Sequence, residues 1–212
     1  MALTGLAMTA FLVAHLSGNL LLLLPSSVAF NSYAHKLEQM EVLVILVDIA
    51  LLVFLIKHVL TGFSIARLNK TARPQAYAVV KPAGEPSRKS LASSLMPLSG
   101  ITLLLFIIWH IATFKFGPGI QEGYVTQING SEVRDLHRLV AEEFQKPAYV
   151  IGYVFCMLLL TMHLFHGVRS AFQSLGVNHV AYNPVIRYGS QGLALLLGLG
   201  FTILPVWIFI CG

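Results

Sequence analysis

Charge is what this chain has least of. Only 11% of its 212 residues are Asp, Glu, Lys or Arg, where a soluble domain carries about a quarter. So little polar surface cannot face water on all sides, which excludes an ordinary soluble globular protein. Cysteine is almost as scarce: Cys156 and Cys211 both sit in apolar runs and read as small buried hydrophobes. The first apolar run has no basic segment before it and is too long for a signal-peptide core, so a retained helix is expected there. Strict apolar–polar alternation is missing as well, which argues against a membrane β-barrel.

What is present is long apolar runs, at about 2–24, 42–66, 95–116, 148–172 and 186–210. Each is near the ~20 residues a helix needs to cross ~30 Å of hydrocarbon. Continuous runs inside lipid must be helices, because only helices satisfy their own backbone. The expected fold is all-α integral membrane, a single domain over 1–212 with five transmembrane helices, the first four forming a bundle. The spans use most of the chain, so no soluble catalytic domain is expected within it.

The formal net charge of +5 is distributed unevenly. On one side, Arg67, Lys70, Arg73, Lys81, Arg88, Lys89, Arg169 and Arg187 face a single acid, Glu85, for a net +7. On the other, Lys36, Lys115, Arg134, Arg138 and Lys146 meet Glu38, Glu41, Glu122, Glu132, Asp135, Glu142 and Glu143, for a net −2. By the positive-inside rule the first side is cytoplasmic, with the N-terminus inside and the C-terminus outside a bacterial cytoplasmic membrane. Orientation accounts for the basic loops, and no nucleic-acid partner is expected.

Eight histidines stand out against this background. His15, His58, His110 and His163 fall one per span in the first four spans, and the fifth span has none. Their surroundings repeat in alternate helices. Thr4-Gly5 precedes His15 at the same spacing as Ser99-Gly100 precedes His110, an [ST]-G-x9-H pattern. His58 is followed by Gly62 and Ala66 as His163 is by Gly167 and Ala171, an H-x3-G-x3-A pattern. Neighbouring spans run antiparallel, so distance from the span ends places His15 level with His110 and His58 level with His163.

A single imidazole in a membrane helix is readily explained by an interhelical hydrogen bond. Four, one per helix and matched in two levels, point instead to two b-type haems, each iron held by two imidazoles inside a four-helix bundle. Gly62 and Gly167 lie one turn beyond their histidines, where a missing side chain leaves room for a flat macrocycle. Thr4 and Ser99, three turns before theirs on the same face, are placed to reach a propionate or another polar group. No CxxCH occurs, so covalent attachment is not expected.

Several stretches carry a resemblance: "MALTGL" before "HLSGNL", "FNSYAHKL" at 30–37, "HVLTGFSIA", "SGITLLLFIIWH" and "HLFHGVRSAF". The chain resembles the diheme cytochrome b membrane anchor of succinate dehydrogenase and fumarate reductase, in its single-subunit, five-helix form, over nearly its whole length. The resemblance implies an inner haem on His58 and His163, an outer haem on His15 and His110, and Gly100 and Arg169 in the haem surroundings. It implies a flavoprotein and an iron–sulfur subunit as partners, the latter against residues 67–94 and 169–187, and no succinate site on this chain. It further implies electron transfer with a membrane quinone, menaquinone being expected, in the respiratory chain and tricarboxylic acid cycle. Some members carry an arginine before the [ST]-G of helix three; here Pro97 occupies that region, leaving Arg169, Arg67 or residues preceding Met1 as the expected propionate partners.

Quinone chemistry needs protons, and the candidates near the outer end of helix two are Asn31, His35, Glu38, Glu41 and the intramembrane Asp48. The competing readings are a diheme anchor of another respiratory dehydrogenase and a non-haem proton-coupled transporter. A di-iron oxygenase would want several histidine boxes, and only His163 and His166 are closely spaced.

Overall fold

The computed structural model describes residues 1–72, 93, 95–177 and 179–212. The basic residues Arg73, Lys81, Arg88 and Lys89, with Glu85, lie outside these residues, as does most of the predicted 67–94 docking surface.

Among the described residues five helices are long and apolar enough to cross a membrane, so this is a multi-pass helical membrane protein. Helix α1 (Ala2–Asn19) runs on through a 3-10 turn, Leu20–Leu23. Helix α3 covers Glu41–Thr71, α4 Met96–Phe114, α6 Pro147–Ser174 and α7 Asn183–Cys211. These match the five predicted spans to within a few residues. Pro97, Pro147 and Pro184 sit in the first turns of their helices, where a missing N–H costs nothing.

Two short helices and a hairpin gather at one end. Helix α2 (Ser27–Gln39) starts on the side chain of Ser26, which accepts from Val28 N. Strands β1 (Val125–Ile128) and β2 (Ser131–Arg134) form an antiparallel hairpin with Ile128 opposite Ser131. Its two-residue turn, Asn129-Gly130, has positive φ at both positions (52° and 81°), the turn that suits a twisted hairpin. Helix α5 (Leu136–Phe144) follows, capped by Asp135, whose carboxylate accepts from Arg138 N at 3.0 Å.

Four spans form a ring in which α1 packs on α3, α3 on α4, α4 on α6 and α6 on α1. Helix α7 lies outside the ring and makes its most extensive contact with α6. Two glycines permit this: a Cβ on Gly198 would collide with Thr161 of α6, and one on Gly200 with Leu16 of α1. The core lies along α6 and α7, with Ala194 and Leu197 wholly buried. Helix α3 is its opposite, with no buried residue among those described. Val42, Leu46, Ile49, Val53, Ile56 and Leu60 form a stripe of exposed apolar side chains at helical spacing along it, as a lipid-facing helix requires.

Candidate functional site

Diagonal helices of the ring bring the four span histidines together in two pairs. His15 of α1 and His110 of α4 have ring centres 5.8 Å apart, on the hairpin side of the bundle. His58 of α3 and His163 of α6 have ring centres 6.3 Å apart, toward the opposite side. The four are half-buried. These are the pairs expected from spacing and antiparallel packing. Eleven residues separate Thr4, level with His58, from His15, and eleven separate Ser99, level with His163, from His110. At 1.5 Å per residue the two levels are about 16 Å apart along the bundle.

Every one of the four rings has a polar atom beside its Nδ1, and the partners differ by level. On the opposite side, Thr4 Oγ1 lies 3.3 Å from His58 Nδ1 and Ser99 Oγ 3.1 Å from His163 Nδ1. The Thr4 and Ser99 hydroxyls thus serve the histidines of the neighbouring helix rather than those three turns along their own. Each hydroxyl proton is already committed to a backbone carbonyl three residues earlier: Thr4 donates to Met1 O at 2.9 Å, Ser99 to Met96 O at 3.1 Å. The hydroxyl oxygens can therefore only accept from the imidazoles. Both rings are fixed with the proton on Nδ1, and Nε2 keeps its lone pair.

The hairpin-side pair is arranged differently. The Tyr153 hydroxyl lies 3.1 Å from His110 Nδ1 and has no other hydrogen-bond partner among the described residues. Asn19 Nδ2 donates to His15 O at 2.7 Å and approaches His15 Nδ1 at 3.4 Å. An aromatic cluster surrounds the pair. Phe11 stacks on His15, while Phe106 and Phe114 lie against His110. Trp109 rests on Gly152 of α6, where a Cβ would press on its ring.

This arrangement suits a haem. An iron–nitrogen bond of about 2 Å on each side puts two axial ring centres roughly 6–6.5 Å apart, as both pairs nearly are. A bare metal ion would want three or four protein ligands, and no cluster of three or more His, Cys, Asp or Glu occurs among the described residues. Two imidazoles suffice where a porphyrin supplies the other four nitrogens. The glycines contribute space: a Cβ on Gly5 would sit 3.3 Å from the His58 ring, one on Gly100 3.8 Å from the His163 ring. Gly62 meets only the tip of Met1, and Gly167 nothing within 4 Å. No family model, curated protein or solved structure matches the chain. Its function is therefore argued from these side chains.

The remaining candidates spread over the hairpin end. Asn31 is 1% exposed and fully engaged: Nδ2 donates to Asp135 Oδ1 at 2.8 Å and Oδ1 accepts from His137 N at 2.9 Å, locking α2 to α5. His35 lies on α2 with Nε2 3.0 Å from Gln39 and Nδ1 3.8 Å from Glu38. Glu41 is exposed and opens α3. Asp48 is paired with Lys115, the residue that ends α4. A cleft of about 410 Å³ beside that pair is lined by Glu38, Lys115, Gly119, Glu122 and Arg134. Arg67 and Arg169 are exposed toward the other end. Sequence reasoning missed Tyr153, Asn19 and Lys115. Only Asn19 carried a signal, one turn from His15; the other two join the site across helices.

Proposed function

We propose that this chain is the membrane-anchor cytochrome b of a succinate dehydrogenase or fumarate reductase, exchanging electrons between an iron–sulfur subunit and membrane quinone. What carries the reading is the pairing of four imidazoles across the diagonals of one bundle, each with a polar group beside its Nδ1. His58 and His163 hold the inner group, and His15 and His110 the outer one. Haem b, when bound by these pairs, supplies a one-electron centre at each of two levels, with no open coordination position for oxygen.

The chain's own residues do the rest. The helices shield the rings from water, and the Nδ1 partners orient them and set how strongly they donate. At the outer end the cleft next to the Asp48–Lys115 pair lies about 7–8 Å along α4 from His110, close enough to seat a quinone headgroup. His35, Glu38 and Asp48 supply carboxylates and an imidazole there to hold protons. The N-terminus lies in the cytoplasm, and the basic ends of α3 and α6 meet the iron–sulfur subunit.

Purification in mild detergent tests the reading. The expected result is a b-type spectrum at two haems per chain, with a flavoprotein and an iron–sulfur polypeptide co-purifying. His58→Ala and His110→Ala should each remove one haem, and a different one. A colourless protein, or full haem content in both variants, overturns it.

A further inference from the structure

The two histidine pairs are equipped differently for a metal, although the helices that carry them repeat. At His58 and His163 the hydroxyl partners have spent their protons on Met1 O and Met96 O, so both imidazoles carry hydrogen on Nδ1 and present a bare Nε2. At His110 the Tyr153 hydroxyl has no acceptor among the described residues except the ring itself. At His15 the nearby atom is an amide nitrogen already donating to a carbonyl. The Asn19 amide can only donate to Nδ1 and the Tyr153 hydroxyl can donate or accept, so neither partner holds the ring hydrogen on Nδ1 as Thr4 and Ser99 do. Coordination through Nε2 is therefore less preorganised there than at His58 and His163.

Resting on the function proposed above, we propose that Thr4 and Ser99 are positioning residues for the iron porphyrin held by His58 and His163, and that this site consequently fills before the hairpin-side site. Preorganisation lowers the cost of binding without adding a contact. Outer-shell partners of metal-bound imidazoles typically carry 10–100-fold in metal affinity. The same hydrogen bonds increase the electron donation of His58 and His163 to iron, so removing one raises the reduction potential of that haem.

The test uses the full chain produced under haem limitation, titrated with haemin in detergent and followed by the Soret band. His110→Ala leaves only the opposite-side site and His58→Ala only the hairpin-side site, which supplies a spectral signature for each. The wild-type chain should show the opposite-side signature with the first equivalent. In the His110→Ala background, Thr4→Val and Ser99→Ala should each weaken haemin binding about 10–100-fold and raise the potential of the bound haem. Thr4→Ser and Ser99→Thr should restore both, which a purely structural role would not produce. Simultaneous filling, hairpin-side filling first, or unchanged affinity and potential in Thr4→Val and Ser99→Ala overturns the proposal while leaving the cytochrome reading intact. Absence of six-coordinate binding in every variant overturns the cytochrome reading itself.

Discussion

Asn31 shows how much one buried polar residue carries here. Its amide ties α2 to α5 through a carboxylate and a backbone N–H, with no water-facing surface to soften the loss. Asn31→Ala should cost about 2–4 kcal/mol, because it strands two partners as well as losing two bonds; thermal unfolding in detergent measures this. Asp48 is the contrasting case. Its pair with Lys115 is nearly half exposed on both sides, and such pairs contribute about 0–1 kcal/mol. Asp48→Asn should leave the melting temperature almost unchanged while slowing quinone reduction, most clearly at high pH where protons are scarce. Equal rates for variant and wild type across pH would remove Asp48 from proton delivery. The four span histidines were legible in the sequence because matched spacings in alternate spans survive any detail of packing. Their Nδ1 partners were not, because Thr4 and Ser99 act across helices: the [ST]-G pair belongs to the histidine of the helix beside it.

At the scale of elements, the spans were readable from composition alone, since lipid demands continuous apolar helix. The polar cap was not, because its segments are short and mixed. Its clearest signal was Asn129-Gly130, a strong hairpin dipeptide, between residues that alternate only weakly. The repeat extends further than the histidines. Tyr153 stands ten residues before His163 as Asp48 stands ten before His58. One serves a ring and the other an ion pair, so the two halves have diverged at the hairpin end and agree at the opposite end. In the cap, Tyr124 donates to Glu142 Oε2 at 2.6 Å and Arg138 to Oε1 at 2.7 Å. The Tyr124 hydroxyl first, then Arg138, holds the Glu142 carboxyl below the ordinary carboxylate range. A carboxyl depressed in the folded state stabilises above its unfolded value, about 4.3, and that contribution fades as pH falls through the folded value. The cap should therefore loosen in acid. Carbon-13 NMR of the Glu142 carboxyl should show Tyr124→Phe moving its midpoint up toward the ordinary value; an unmoved midpoint removes the tyrosine as the cause.

For the whole molecule, the five candidate spans among the described residues would put α1's start and α7's end on opposite faces of the membrane, whichever face is which. The choice between faces belongs to charge, and the tally of +7 against −2 predicts it. On that prediction the hairpin, α2 and α5 lie outside with Cys211, and the Arg67 and Arg169 ends inside. The two cysteines make this measurable without adding a label site. Cys156 is buried within α6, whereas Cys211 is exposed at the last turn of α7. A membrane-impermeant maleimide applied to intact spheroplasts should modify the wild-type chain once and Cys211→Ser not at all. Inside-out vesicles should give no modification until they are permeabilised. Labelling of Cys211 in sealed inside-out vesicles but not in spheroplasts would reverse the orientation. The hairpin-side cleft would then face the cytoplasm, and the order of the two histidine levels between iron–sulfur subunit and quinone would invert. The pairing of the imidazoles would stand, because it depends on which helices face each other across the bundle and not on which side of the membrane they end.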